Sequence, residues 1–244
     1  MKVIYIWIFC LLSSMIFAQP TAVIFDCDGV LVDSGMLHYR AWKEVLKKRG
    51  IELSVGEYTP MFGKVSEEMI SYLKELKGVE LCPCVIEEKR KSFEFFFQEA
   101  SELFIEEMCE WAKKIKGQGY KTALASAGAH SQIQQYLQSA GLQGVFDVVL
   151  SGKDDLGEYK DPEGVNKPKP YIYLKAAKLL SVEPSDCLVF EDSWAGVLAG
   201  KEAGMYVVAV PYPFTSSQGA QVLADYVLDD LHTESLRQAM ESFQ

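Results

Sequence analysis

Four short stretches of this 244-residue chain carry side chains able to act on a phosphate ester. Asp26-Cys27-Asp28-Gly29 sets two carboxyl groups two residues apart, Ser126 closes an apolar run, Lys167-Pro168-Lys169-Pro170 holds lysines in a proline-stiffened loop, and Glu191-Asp192-Ser193 adds two more acids. A carboxylate is a competent nucleophile toward phosphorus; the acyl phosphate it forms splits one hard displacement into two easier ones. A second carboxyl can protonate the leaving alcohol and afterwards take a proton from the attacking water. Asp26 and Asp28 suit these two tasks, provided the chain curls after them, a freedom that Gly29 supplies. Ser126 offers a hydrogen bond and Lys167 a full charge to the oxygens of the transferring group. Carboxylates crowded beside a phosphate require a cation, and magnesium takes oxygen ligands and bridges to phosphate. Asp26, Asp28, Glu191 and Asp192 are the candidate ligands.

These residues can meet only if each follows a strand of one open sheet, because ligands of such sheets bind beyond the strands' carboxyl ends. The apolar pattern allows it. Strands are predicted over residues 21–25, 121–125, 146–150, 187–190 and 206–210, with a weaker one near 226–228, and helices over 131–140, 170–180 and 195–203. That alternation is the signature of a doubly wound parallel α/β sheet. Residues 35–111 break the rhythm: no strand-like run occurs, while 36–49, 67–76 and 87–103 carry helical periodicity. An inserted all-helical cap is therefore expected, with Phe93, Phe95, Phe96 and Phe97 as its packing core rather than a substrate cage. The expected division is a leader at 1–18, an α/β core at 19–34 and 112–244, and the cap at 35–111.

Composition narrows the partners. A chain 49% apolar and 24% charged is ordinary globular material, and a net charge of −10 argues against nucleic acid or anionic membrane as a partner. A small phosphorylated metabolite fits, met by local positive charge. After Lys2, the sixteen uncharged residues 3–18 end at Ala18 before Gln19-Pro20, the layout of a cleaved secretory signal. They are shorter than the roughly 20 residues of a membrane span, so no stable membrane anchor is expected. Export to the periplasm or beyond is the expectation; the alternative is a cytoplasmic protein whose synthesis begins at Met15. Without Cys10, five cysteines remain, an odd number that no simple disulfide framework gives. Cys82-Pro83-Cys84 lacks the second ligand pair of a zinc site and reads as a loop.

Residues 26–34 (DCDGVLVDS), Ala125-Ser126, Lys167-Pro168-Lys169-Pro170 and residues 190–196 (FEDSWAG) resemble the four motifs of the haloacid dehalogenase superfamily phosphatases, over about residues 21–210. The resemblance implies a Rossmann-like core of that type, Asp26 as nucleophile, Asp28 as general acid and base, and Ser126 and Lys167 as phosphate stabilisers. It also implies magnesium held by Asp26, Asp192 and the Asp28 carbonyl, with Glu191 nearby, and a cap closing over the site. Residues 38–43 (HYRAWK) are similar to the start of the cap in β-phosphoglucomutase and related sugar-phosphate phosphatases, and Gly63-Lys64 to a cap position that meets substrate. His38 and Lys64 are thus candidate substrate residues. Gly128, Ala129 and His130 stand where the mutase places a polar set gripping a second phosphate, which ranks hydrolysis of sugar or polyol phosphates above mutase activity. A non-catalytic exported binding protein of the same fold is the remaining alternative.

Overall fold

The computed structural model describes residues 19–62, 66–100, 102–216 and 219–243. Six parallel strands, β1 (Ala22–Phe25), β2 (Lys121–Ser126), β3 (Val148–Ser151), β4 (Cys187–Glu191), β5 (Tyr206–Ala209) and β6 (Tyr226–Val227), form one sheet in the order β3-β2-β1-β4-β5-β6. Strands buried on both faces read as unbroken apolar runs, and alternate residues go to opposite sides. Val23, Phe25, Leu124 and Phe190 face the helices α5 (Glu106–Gly117), α6 (His130–Ser139) and α9 (Thr233–Glu241). Ala22, Ile24, Ala123 and Val189 face α7 (Tyr171–Leu180) and α8 (Trp194–Glu202). Phe25 stacks on Phe190 at 5.2 Å between ring centroids. The third strand begins at Val148, later than the sequence suggests. Asp147 instead turns its carboxylate back to accept the Thr122 N–H at 2.9 Å, while Phe146 packs edge-on against Phe25.

The insertion holds α1 (Gly35–Lys47), the short α2 (Val55–Tyr58), α3 (Ser66–Lys77) and α4 (Cys84–Glu99). Ser54 and Glu57 form a capping box that starts α2. Tyr39, Trp42, Leu46, Leu53, Leu73 and Val85 make the cap's own core, which the core-domain loop residues Tyr212 and Phe214 join.

The linkers into and out of the insertion run side by side, and one of its phenylalanines departs from the expected packing. Asp33 N–H donates to Leu103 O at 2.8 Å and Ile105 N–H to Leu31 O at 3.0 Å, so the outgoing and returning linkers are paired there. Met108, Ala112 and Ile115 of α5 then pack under the sheet. By this packing α5 lies against β2 and α9 of the core. Of the four phenylalanines, Phe93 is buried and Phe96 and Phe97 pack against the core, but Phe95 is 56% exposed and belongs to no packing core.

Candidate active site

The first strand ends by donating the Asp26 N–H to Phe190 O at 3.0 Å. The chain then curls: Leu31 N–H returns to Cys27 O at 2.9 Å, and Gly29 N–H to Val32 O at 2.8 Å. Gly29 has φ +86°, and a Cβ there would lie 2.5 Å from Asp192 Oδ2. Only glycine permits both the turn and the approach.

At the end of β4, Glu191 and Asp192 precede Ser193, whose side chain accepts the Gly196 N–H at 3.0 Å and starts α8. Ser193 also donates to Glu191 Oε2 through its N–H at 2.8 Å and its hydroxyl at 3.1 Å, and Tyr173 OH donates to Oε1 at 3.1 Å. A Cβ on Gly196 would fall 1.5 Å from Glu191 Oε1. Gly196→Ala is therefore expected to displace this carboxylate and to lower stability by about 1–3 kcal/mol, the usual cost of overpacking. Thermal unfolding checks it; an unchanged melting temperature would contradict the packing described.

The proline-rich loop after β3 delivers Lys167 to the centre. Its Nζ lies 2.5 Å from Asp26 Oδ1, 2.7 Å from Glu191 Oε1 and 3.1 Å from Ala125 O. Asp26, Glu191 and Asp192, all buried, bring carboxylate oxygens within 4.8 Å of one another. Burial pushes Asp26 up to about 8, against the downward pull of Lys167. Burial, with Glu191 and Asp26 beside it, pushes Asp192 well above the usual carboxylate range. Burial works against the charge on Lys167, yet Asp26 and Glu191 hold it well above its ordinary value. Asp192 Oδ2 is buried without a hydrogen-bond partner. An all-oxygen donor set with an orphaned acceptor and too little positive charge fits a hard divalent cation such as magnesium.

Asp28 is half-buried. Ser34 donates to its Oδ1 at 2.5 Å and Ser126 reaches Oδ2 at 3.5 Å. Burial raises its pKa, opposed by the Ser34 bond, Lys167 and Lys89. The Ser126 hydroxyl also accepts the Gly128 N–H at 3.0 Å. Asp26, Asp28, Ser126, Lys167, Glu191 and Asp192 thus share one pocket at the strands' carboxyl ends. His38 lies on α1 above it, stacked on Phe93 at 4.3 Å, with Nδ1 2.8 Å from Lys89 Nζ. Burial and the Lys89 charge pull His38 well below its ordinary pKa, so its ring is neutral. Lys64 lies outside the described residues.

Lys89 is the residue the sequence reading missed. Burial lowers it to about 8, with Asp28 opposing. It belongs to no motif, but a signal existed: Val85, Lys89 and Phe93 are spaced four apart, so this lysine interrupts the buried stripe of α4. Ser34 ends the first motif, where the sequence assigns it no separate role, and nothing in the sequence singles out Tyr173 or Tyr212. Tyr212 OH donates to Asp33 Oδ1 at 2.6 Å and accepts the Gly35 N–H at 2.9 Å, tying the first cap linker to the loop after β5.

A family model described as haloacid dehalogenase-like hydrolase matches residues 20–204. Hexitol phosphatase B of Escherichia coli (strain K12) is 30% identical over 215 residues, 87% of this chain and 93% of that protein. The chloroplastic protein Suppressor of Quenching 1 of Arabidopsis thaliana is 32% identical over 200 residues, and these span 79% of this chain but 18% of that protein. The crystal structure of β-phosphoglucomutase from Clostridium difficile matches with a TM-score of 0.73 at 26% identity, covering 92% of this chain and 99% of that one.

Proposed function

This chain belongs to the haloacid dehalogenase-like hydrolases, and from that premise we propose that it is a magnesium-dependent phosphatase of small phosphate monoesters, sugar or polyol phosphates foremost. The observation that carries the proposal is Asp26 held by Lys167 within a buried acidic pocket, with Asp28 and Ser126 in hydrogen-bond reach of each other beside it. In this reading an Asp26 oxygen attacks phosphorus while the bond to the ester oxygen breaks, and Asp28 gives that oxygen its proton. Water then attacks the phosphoaspartate, Asp28 takes its proton, and Asp26 is released with inorganic phosphate. The raised pKa of Asp28 suits a group that must hold a proton first. Lys167 and Ser126 meet the charge on the phosphoryl oxygens. Asp26, Asp192 and Glu191, with the Asp28 carbonyl, would hold magnesium, which supplies charge to the phosphate and favours ionised Asp26.

Hexitol phosphatase B, as a relative, supports a polyol phosphate. Hydrolysis is favoured over phosphate transfer because the segment that stands where the mutase grips a second phosphate lacks that polar set and faces carboxylates. His130 Nε2 lies 2.7 Å from Asp155 Oδ2, and its N–H donates to Asp154 Oδ2 at 2.8 Å. Two acids there repel a second phosphate.

The test is phosphate release from an aryl phosphate and a panel of hexose and hexitol phosphates. Chelation is expected to reduce it to background, and added magnesium to restore it. A rate indifferent to chelation would remove the metal from the proposal. Faster conversion of β-glucose 1-phosphate to glucose 6-phosphate than phosphate release would make the enzyme a mutase, and no turnover of any ester with magnesium bound would make it a binding protein. Lys89→Ala is expected to raise KM about tenfold, the loss of one charge-assisted contact, with kcat changed less than KM; steady-state kinetics decides it, and an unchanged KM would remove Lys89 from the substrate's reach.

We place this activity outside the cytoplasm on the strength of residues 1–18, which lie outside the described residues. N-terminal sequencing of the natural protein should begin at Gln19; an intact Met1 or a start at Met15 in the cytosol would reverse the placement. Among the described residues no helix is long and apolar enough to cross a membrane.

A further inference from the structure

We infer that Cys82 and Cys84 form a thiol-disulfide exchange site on the cap, with Cys82 the attacking sulfur and Cys84 the resolving one. The pattern Cys82-Pro83-Cys84 reads as a loop in the sequence for want of further metal ligands, but in the structure both thiols are exposed and a hydrogen bond links the two residues. Both side chains are exposed, whereas Cys27, Cys109 and Cys187 are buried. Cys82 Sγ accepts the Cys84 N–H at 3.2 Å at the opening turn of α4. Val85 N–H bonds Cys82 O at 3.0 Å, so the backbone folds the two cysteines back on each other. Arg49, just past α1, donates to both carboxylate oxygens of Glu88 of α4 at 3.0 and 2.6 Å, and both charges of this ion pair act on Cys82.

The two sulfurs are not equivalent. The Cys84 thiol and then the Cys84 N–H lower the pKa of Cys82, helped by Arg49 and opposed by partial desolvation and Glu88. The same thiol contact, with desolvation, raises Cys84. A sulfur that ionises more readily beside one that ionises less readily is the arrangement that exchange requires.

The oxidant is a low-molecular-weight disulfide, of which oxidised glutathione is representative. The Cys82 thiolate attacks one of its sulfurs, forming a mixed disulfide and expelling one glutathione thiolate. Cys84 gives its proton to solvent and attacks the Cys82 sulfur, which closes the Cys82–Cys84 bond and expels the second glutathione thiolate. Two protein thiols are oxidised and one small disulfide is reduced to two thiols.

The test uses the full chain in oxidised glutathione, quenched with iodoacetamide and digested with trypsin. The peptide spanning residues 78–89 contains both of these cysteines and no other. It is expected to lose two hydrogens and to escape alkylation, while peptides bearing Cys27, Cys109 and Cys187 are alkylated after denaturation. Cys84→Ser is expected to stop at a glutathione adduct on Cys82, and Cys82→Ser to form its adduct about tenfold more slowly, because the residue-84 N–H that donates to Cys82 Sγ at 3.2 Å remains in the first variant and favours its thiolate. Three results would each overturn the inference: peptide 78–89 keeping two alkylatable thiols, the wild type stopping at the mixed disulfide, or equal adduct rates in the two variants. Both side chains are exposed, so neither serine substitution disturbs the core.

Discussion

Asp26→Asn should abolish phosphate release, lowering kcat by at least about 10⁴-fold, as removal of a covalent nucleophile does in enzymes whose residues act as a unit. An amide oxygen does not form the acyl phosphate, and it offers Lys167 a weaker partner than the carboxylate now 2.5 Å from Nζ. The loss should not be one of folding. Burial pushes Asp26 up to about 8, so at neutral pH the metal-free side chain already holds its proton, an amide of the same shape replaces one neutral group by another, and the metal-free melting temperature should hold. Single-turnover phosphate release together with thermal unfolding separates the two effects. Activity within tenfold of wild type, in a folded variant, would end the assignment of Asp26 as nucleophile.

Lys167→Met is the second large effect, and it should act on both rate and stability. The lysine's ammonium group faces two buried carboxylates at once, Asp26 at 2.5 Å and Glu191 at 2.7 Å, and both belong to the acidic triad. Removing one partner of a buried ion pair typically costs about 3–5 kcal/mol because the other charge stays behind unpaired. Loss of one donor to the transferring oxygens should lower kcat by roughly 10²–10³-fold.

The pH dependence has a definite sign. Asp26 in the folded metal-free protein titrates near 8 against an ordinary 3.8, so between those values the native state holds a proton that the unfolded chain has released. Its contribution to stability is present below the lower value and lost as pH rises through the upper one. Without Lys167, which pulls Asp26 downward, the decline should extend to higher pH, and magnesium should offset it by binding the native state alone. Melting temperatures of wild type and variant across that window, with and without magnesium, test the coupling. A variant whose stability rises with pH would contradict the account of Lys167 as the charge that keeps these acids tolerable.

Much of this was legible from the residues alone, for a specific reason. Asp26, Ser126 and Glu191-Asp192 each sit at the end of an apolar run, and in a parallel sheet such ends converge on one edge whatever the side chains between them do. Lys167 was legible because prolines on its carboxyl side mark a fixed loop rather than a helix. The helical insertion was legible as a break in alternation.

Contacts between separate helices were not legible. That Lys89 reaches His38 depends on how α1 lies against α4, and that angle is set by interdigitation of side chains far apart in sequence. The amphipathic stripe of α5 fits cap or core equally well, and only the linker bonds at Leu103 and Ile105 decide where the insertion closes. The sequence by itself therefore determined which atoms can do the chemistry, since strand periodicity and chain topology fix their meeting place locally. Tertiary structure alone decided how much charge the pocket buries and which cap side chains look into it, because burial and approach are properties of packed surfaces, not of positions along a chain.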